Sequence, residues 1–312
     1  MANTRFSYVK QFEQESVLLH DCWPLIRLDG RSFTNFSKLH KFRKPSDPLA
    51  LGVMNAAAAH VMSAFDDIVL AYGHSDEYRK ILSSVVSAFS SAYCLHWRTF
   101  FPRQPLQSLP TFDGRIVLYP RFDNIVDYFS WRHADCHINT QYNICFWCLV
   151  SDGKSTDEAM QHTNKGDKNE YIFSSRGINY SKLPRIFRKG TTLVRLSTDK
   201  SLEPSDTNSQ PPSTPDLESS AYSAAAEELI SNAGDRIALT IEESELSYIS
   251  RKVKELCDRF SIGLLHCDNI SVDFWNAVAP SYQNNSHNEL ERSSPTIAPL
   301  RHDQIEMLNT IK

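Results

Sequence analysis

The chain has 312 residues, of which 41% are hydrophobic and 22% charged, with a formal net charge of −4. That is the balance of an ordinary globular protein with enough apolar content for a sizeable core. It argues against a globally basic nucleic-acid binder but leaves room for a local basic face, and no apolar run approaches the length of a membrane span.

Met1 to Glu15 carries charge throughout and lacks an apolar segment of signal-peptide type, so no secretory signal is expected. An intracellular location, cytoplasmic or nuclear, follows as the expectation. The seven cysteines are scattered and odd in number, which suits reduced thiols. Cys145 and Cys148 have CxxC spacing. They lie in the apolar run 142–150 with no second pair, so they read as core thiols rather than a metal or redox site.

In chain order, Phe6 to Leu19 predicts a short helix. Leu25 to Phe33 (LIRLDGRSF) predicts a buried strand running into a turn that presents Asp29. As an isolated pattern, Asp29-Gly30 is a common turn. Followed by a second acidic turn it becomes a candidate phosphate and metal site, with Asp29 a hard oxygen ligand. The basic loop from Lys38 to Lys44 comes next. Asp47 and Pro48 then mark a helix start, as N-cap and first helical residue. Leu51, Met54, Ala58, Val61 and Phe65 recur at helical spacing, and Ile68 to Tyr72 reads as a strand. Strand, helix and strand make a βαβ unit with two parallel strands. The second strand runs into Gly73-His74-Ser75-Asp76-Glu77-Tyr78, a second acidic turn. Two such turns at one sheet edge suit a pair of divalent ions about 3.5–4 Å apart, used for in-line phosphoryl transfer.

Several ordered motifs together resemble the tRNA-histidine guanylyltransferase family. They are Arg27-Leu28-Asp29-Gly30-Arg31-Ser32-Phe33, Ala71 to Tyr78, Phe112-Asp113-Gly114-Arg115 and His137 to Asn143. Asp167-Lys168-Asn169-Glu170, Arg188-Lys189-Gly190-Thr191 and, near the C-terminal end, Leu265 to Asp268 and Asp273 to Asn276 continue the series. The resemblance covers most of residues 1 to about 195. Two departures stand out. Thr140-Gln141 replaces the family's Asn-Leu. After Tyr78 the family's return strand and polar connector are absent, about a dozen residues or more by ordinary strand and loop lengths. The long helix that follows is present, with Leu82, Val85, Val86, Phe89, Tyr93 and Trp97 on one period. Loss of that strand is expected to weaken metal binding at Asp76.

Further along, Phe112 to Pro120 predicts a turn and strand. Asn124 to Val150 predicts helix interrupted by the polar stretch 132–143, with Asn139 and Asn143 on one face. A short helix is expected at Thr156 to His162 and a strand at Tyr171-Ile172-Phe173. Composition shifts to Ser, Pro, Thr, Asp and Asn from Ser197 to Ser220, which predicts a disordered linker. Helix is expected again at Ala221 to Ile230, and an amphipathic one at Ile249 to Phe260. The expected organisation is therefore a catalytic domain over 1–135 and a helical, basic region contacting tRNA and nucleotide over 136–196. The linker 197–220, a helical C-terminal extension over 221–282 and a polar tail over 283–312 follow.

The fold expected from the resemblance is α/β, a ferredoxin-like palm-type sheet backed by helices, with a helical C-terminal extension. The activity it implies is addition of a guanosine nucleotide to the 5′ end of histidine tRNA, a 3′→5′ nucleotidyl transfer using ATP, GTP and two Mg²⁺ ions. By that resemblance Asp29, Gly30 and Asp76 hold metal, and Glu77 supports its turn. Gly30, Arg31, Ser32, Phe33, Thr34, Lys44 and Ser75 line the nucleotide. Arg27, His137, Asn139, Asn143, Lys168, Arg188 and Lys189 meet tRNA or phosphate. A homotetramer is implied as well, and no membrane contact. Two other readings share parts of this pattern. One is a catalytically impaired tRNA-binding or assembly subunit, suggested by the missing strand. The other is a two-metal nucleotide cyclase, which has no need of the motifs at 137–143 and 167–170.

Overall fold

The computed structural model describes residues 6–12, 18–73, 82–165, 168–197, 243–280 and 297–310. The chain opens with a 3₁₀ turn at Ser7–Phe12, within the stretch expected to be helical. Strand β1, Trp23–Gly30, buries Leu25, Ile26 and Leu28. It pairs antiparallel with β3, Phe112–Tyr119, in a register running from Trp23↔Tyr119 to Gly30↔Phe112.

Between these strands the chain makes α1, Phe33–Leu39, and α2, Pro48–Ala64. The Asp47 carboxylate caps α2 as expected, accepting from the Leu49 amide at 2.9 Å, with Pro48 in the first turn. This satisfies one of the donors that a helix start leaves over. Helix α2 is buried nearly all round, from Val53 through Met62, because its small residues admit neighbours closely. A methyl group on Gly52 would stand 2.6 Å from the Phe100 ring. Phe100 belongs to α3, Leu82–Phe100, whose apolar stripe of Val85, Phe89, Tyr93, Trp97 and Phe100 packs on α2.

The remaining strands form a second sheet. β2, Leu70–Gly73, pairs antiparallel with β4, Thr191–Arg195, and β4 with β5, Ile262–Leu265. The sheet order is β2-β4-β5, separate from β1-β3. A strand bonded to both β1 and β2 would join the two sheets; among the described residues there is none. The turn with Asp29 thus follows a strand of one sheet, and the segment expected to form the second acidic turn, which lies outside the described residues beyond Gly73, follows a strand of the other. These sheets share their cores: Ile26, Leu28 and Ala71 lie in one apolar cluster, and Leu25 and Leu70 in another.

Helix α4, Phe122–Ser151, runs without interruption through the expected polar break. The reason is the placement of its polar residues. His133, Cys136 and Thr140 continue the buried stripe to Ile144 and Cys148, while His137, Ile138 and Asn139 face outward. Helices α5, Thr156–Lys165, α6, Lys168–Arg176, and α7, Arg185–Lys189, pack along α4. The strand expected at 171–173 is the middle of α6. Three consecutive large apolar residues mimic a strand, yet only Ile172 is buried, Phe173 is exposed, and the Tyr171 hydroxyl donates to Asp152 at 2.8 Å. Cys145 and Cys148 are buried free thiols on α4, and burial pushes both thiol pKa values up.

Helix α8, Glu243–Arg259, lies on α2 through Ile249, Val253 and Cys257. It ties down the basic loop. Arg43 donates to the Glu245 carboxylate, Nη1 to Oε2 at 2.9 Å, and to Asp47 at 3.4 Å. Burial opposes the Arg43 charge, but Glu245 and Asp47 outweigh it and hold its pKa above the ordinary arginine value. Glu245→Ala leaves the half-buried guanidinium to Asp47 alone and is expected to cost about 1.5–3 kcal/mol, the scale of a lost hydrogen bond to a charged group, read as a drop in the urea midpoint. Full stability in the variant would contradict this account of the pair. After β5 come α9, Val272–Val278, and α10, His302–Thr310. The segment expected to be a polar tail therefore includes an ordered part. Leu300 bridges to Leu196, and α10 packs on β5 with Leu308 buried. Most of the Pro-rich linker, the helix expected at 221–230 and residues 283–296 lie outside the described residues. No described helix is long and apolar enough to cross a membrane.

Candidate active site

The turn after β1 is built by a glycine. At Gly30 an added methyl carbon would come within 2.6–2.8 Å of the Phe33 side chain, so only glycine lets the chain fold back so closely. Phe33 is anchored from below, its ring 5.0 Å from Phe36, 5.7 Å from Phe112 and 6.1 Å from Tyr93. The ring thus faces the aromatic core. Ser32 stands in the left-handed region at φ 54° and reverses the chain into α1. The Arg31 amide donates to the Thr111 carbonyl at 2.8 Å, closing the turn. Arg31, Ser32 and Thr34 are exposed around it, and the first-turn amides of a helix have no partner within the helix.

Asp29 is directly opposite Asp113 on the ladder, and Arg27 is opposite Arg115. Like charges facing each other across a strand pair repel. Each arginine offsets this by bonding the aspartate of its own strand, Arg27 to Asp29 at 3.2 Å and Arg115 to Asp113 at 3.4 Å. The result is one face of the strand pair that carries two guanidinium groups next to two carboxylates. Asp113 was not among the expected site residues. Its place follows from the pairing register, which no local pattern reveals. The Asp29 side chain is 37% exposed, so its oxygens are accessible. Lys44 lies over the Trp147 ring at 5.6 Å. Burial and the neighbouring Lys38 lower its pKa.

A second group of expected residues gathers where β2 ends. Helix α7 is bound to α4 by the Thr140 hydroxyl, which donates to the Phe187 carbonyl at 2.7 Å. This brings Arg188 and Lys189 beside His137, whose pKa is lowered by burial and by those two cations. The Tyr180 hydroxyl lies 3.0 Å from His137 Nδ1. The next residue, Gly190, has φ +69°, and a methyl carbon there would meet the Tyr72 hydroxyl at 2.8 Å and the Gly73 carbonyl at 2.9 Å. Tyr72 in turn donates to the Lys189 carbonyl at 3.2 Å. Lys189 is therefore held at the end of β2. Its ammonium group donates to Asp268 at 2.9 Å, a partner that sequence reasoning did not assign to the site.

The other expected residues are placed more loosely. Asn139 and Asn143 are exposed on α4. Lys168 starts α6, where Asn169 accepts from Gln141 at 3.0 Å. Thr140 and Gln141, the departures from the family motif, thus each make one of the bonds that join α7 and α6 to α4. Ser75, Asp76 and Glu77 lie outside the described residues. Among the described residues no group of three or more His, Cys, Asp and Glu is placed to hold a metal. What Asp29 and the Gly30 carbonyl supply is hard oxygen, the donor type Mg²⁺ selects, and Mg²⁺ takes few protein carboxylates.

Two family models match the chain: "tRNAHis guanylyltransferase" over residues 6–120 and "Thg1 C terminal domain" over residues 123–271. Their boundary falls between β3 and α4. The tRNA(His) guanylyltransferase of Neurospora crassa is 46% identical over 216 residues, covering 62% of this chain and 74% of that protein. A Drosophila melanogaster protein named probable tRNA(His) guanylyltransferase is 48% identical, again over 62% and 74% of the two chains. The crystal structure of the Saccharomyces cerevisiae tRNA(His) guanylyltransferase superposes with a TM-score of 0.58 at 38% identity, covering 61% of this chain and 93% of that one. With its two ordered motif groups, its helices and its sheets matched along most of its folded length, the chain belongs to the tRNA(His) guanylyltransferase family.

Proposed function

We propose that this chain adds a guanosine nucleotide to the 5′ end of histidine tRNA, using ATP to activate the 5′-phosphate and GTP as the nucleotide added. The observation that carries the reading is the tight Asp29–Gly30 turn, with its accessible carboxylate beside Arg27 and its backbone closing onto α1. In this reading Asp29, the Gly30 carbonyl and Asp76 hold Mg²⁺, which supplies charge neutralisation at the phosphates. Glu77 supports the second turn. The chain's own contribution is orientation. Gly30 lets backbone approach the nucleotide, and Arg31, Ser32, Phe33, Thr34 and Ser75 offer amides and hydroxyls along it. Lys44 and Arg27 offset phosphate charge. His137, Asn139, Asn143, Lys168, Arg188 and Lys189 receive the tRNA end, where a neutral His137 can exchange a hydrogen bond without adding charge. Cytoplasmic or nuclear placement and a homotetramer belong to the same proposal.

The second reading, a subunit that binds tRNA without turnover, is favoured by one observation: β1 and β2, the strands that precede the two acidic segments, lie in separate sheets. The test is incubation of the intact chain with a histidine tRNA transcript, GTP, ATP and Mg²⁺. The expected product is longer by one nucleotide. Tight tRNA binding with no longer product would favour the second reading.

A further inference from the structure

We propose that Asp268, contributed by the C-terminal part of the chain, is a positioning residue that aims the Lys189 ammonium group at the 5′-phosphate of the tRNA; this rests on the guanylate-transfer reading. Lys189 has a long, flexible stem, and ordering it in advance removes an entropic cost from substrate binding. Its backbone is already fastened. Tyr72 donates to its carbonyl at 3.2 Å, and the Gly190 carbonyl lies 2.8 Å from His266 Nδ1. Only the side chain remains to be directed, and Asp268 Oδ2 accepts from Nζ at 2.9 Å.

The carboxylate doing this is itself held from several sides. The Ile270 amide donates to Asp268 Oδ1 at 3.2 Å, and the Ser271 hydroxyl to the Asp268 carbonyl at 2.8 Å. Trp275 Nε1 donates to the Asn269 carbonyl at 2.8 Å, seating the loop between β5 and α9. From α4, His133 Nε2 stands 3.5 Å from Oδ1. That ring is 4% exposed, and its Nδ1 has no hydrogen-bond partner among the described residues. A neutral His133 leaves the Asp268 charge to Lys189. Three separated segments thus converge around one ammonium group at the end of β2.

The experiment uses the full chain and compares Asp268→Ala, Asp268→Asn, Lys189→Ala and the Asp268→Ala/Lys189→Ala double variant. Guanylate addition is measured against tRNA and GTP concentration, and acetylation of Lys189 by a small reagent is followed by mass spectrometry. Asp268→Ala is expected to lower kcat/KM for tRNA about tenfold, the size of a lost charge-assisted contact, with KM for GTP unchanged. Asp268→Asn, which keeps an acceptor oxygen and the side-chain shape, is expected to recover part of the loss and stands in if the alanine variant does not fold. The double variant is expected to match Lys189→Ala, and Lys189 acetylation to accelerate in both single Asp268 variants. Unchanged acetylation, multiplying losses in the double variant, or full activity in Asp268→Ala would overturn the proposal. Absence of turnover in the unsubstituted chain would instead defeat the guanylate-transfer reading, and the proposal with it.

Discussion

Acidification from pH 7 to pH 4 is expected to cost this protein about 5 kcal/mol of stability through two histidines alone. His96 on α3 and His133 on α4 both have pKa values pushed down to about 4. For His96 the cause is burial, then the neighbouring His60 and Arg259; its Nε2 lies 3.4 Å from His60 Nδ1. For His133 burial dominates, and Asp268 offsets part of it. The unfolded chain protonates these rings near the ordinary value of about 6.5, whereas the folded chain resists until about 4. Between those values the unfolded state binds more protons. Stability is therefore complete above pH 6.5, falls as pH drops through that window, and levels off below it. Urea midpoints at pH 7.5, 6, 5 and 4.5 measure the effect, and His96→Gln is expected to flatten about half of the slope. A midpoint independent of pH over this range would contradict the burial of both rings.

Asp29→Ala is expected to reduce guanylate addition by a factor of about 10³ or more, the scale on which removing a group that stabilises transition-state charge acts. The fold is expected to survive. The Asp29 side chain is 37% exposed, and it pairs with Arg27 through a single contact at 3.2 Å. Exposed pairs of this kind contribute about 0–1 kcal/mol, and relief of the facing Asp113 charge works in the opposite direction. The thermal midpoint is thus expected to stay within a few degrees. A variant that melts normally and still adds guanylate at the full rate would remove Asp29 from the site.

What could be read in the sequence followed local rules. The Asp47–Pro48 helix start, the α3 stripe from Val85 to Trp97 and the strand before Asp29 depend on neighbours within a turn or two. The α6 segment misled because Tyr171-Ile172-Phe173 carries the side chains of a strand. Its helix is settled by Ile172 entering the cluster of Ile144, Cys148 and Tyr180. The polar run on α4 misled for a related reason. His133, Cys136 and Thr140 are polar yet buried, so a stripe of inward positions was masked by its chemistry. Of the site, the motifs located Asp29, His137, Arg188 and Lys189, but their grouping depends on long-range register. Asp113 faces Asp29 only through the β1–β3 ladder, and Asp268 reaches Lys189 across 79 positions of sequence. No periodicity carries that information.

The account's central claim is that the two acidic turns act as one site although their strands lie in separate sheets. Its most direct test is the one-nucleotide extension of histidine tRNA by the unsubstituted chain and by Asp76→Ala, side by side with Mg²⁺, GTP and ATP. The account predicts the longer product from the unsubstituted chain and essentially none from Asp76→Ala, with tRNA binding kept in both. Equal product from the two proteins would contradict it.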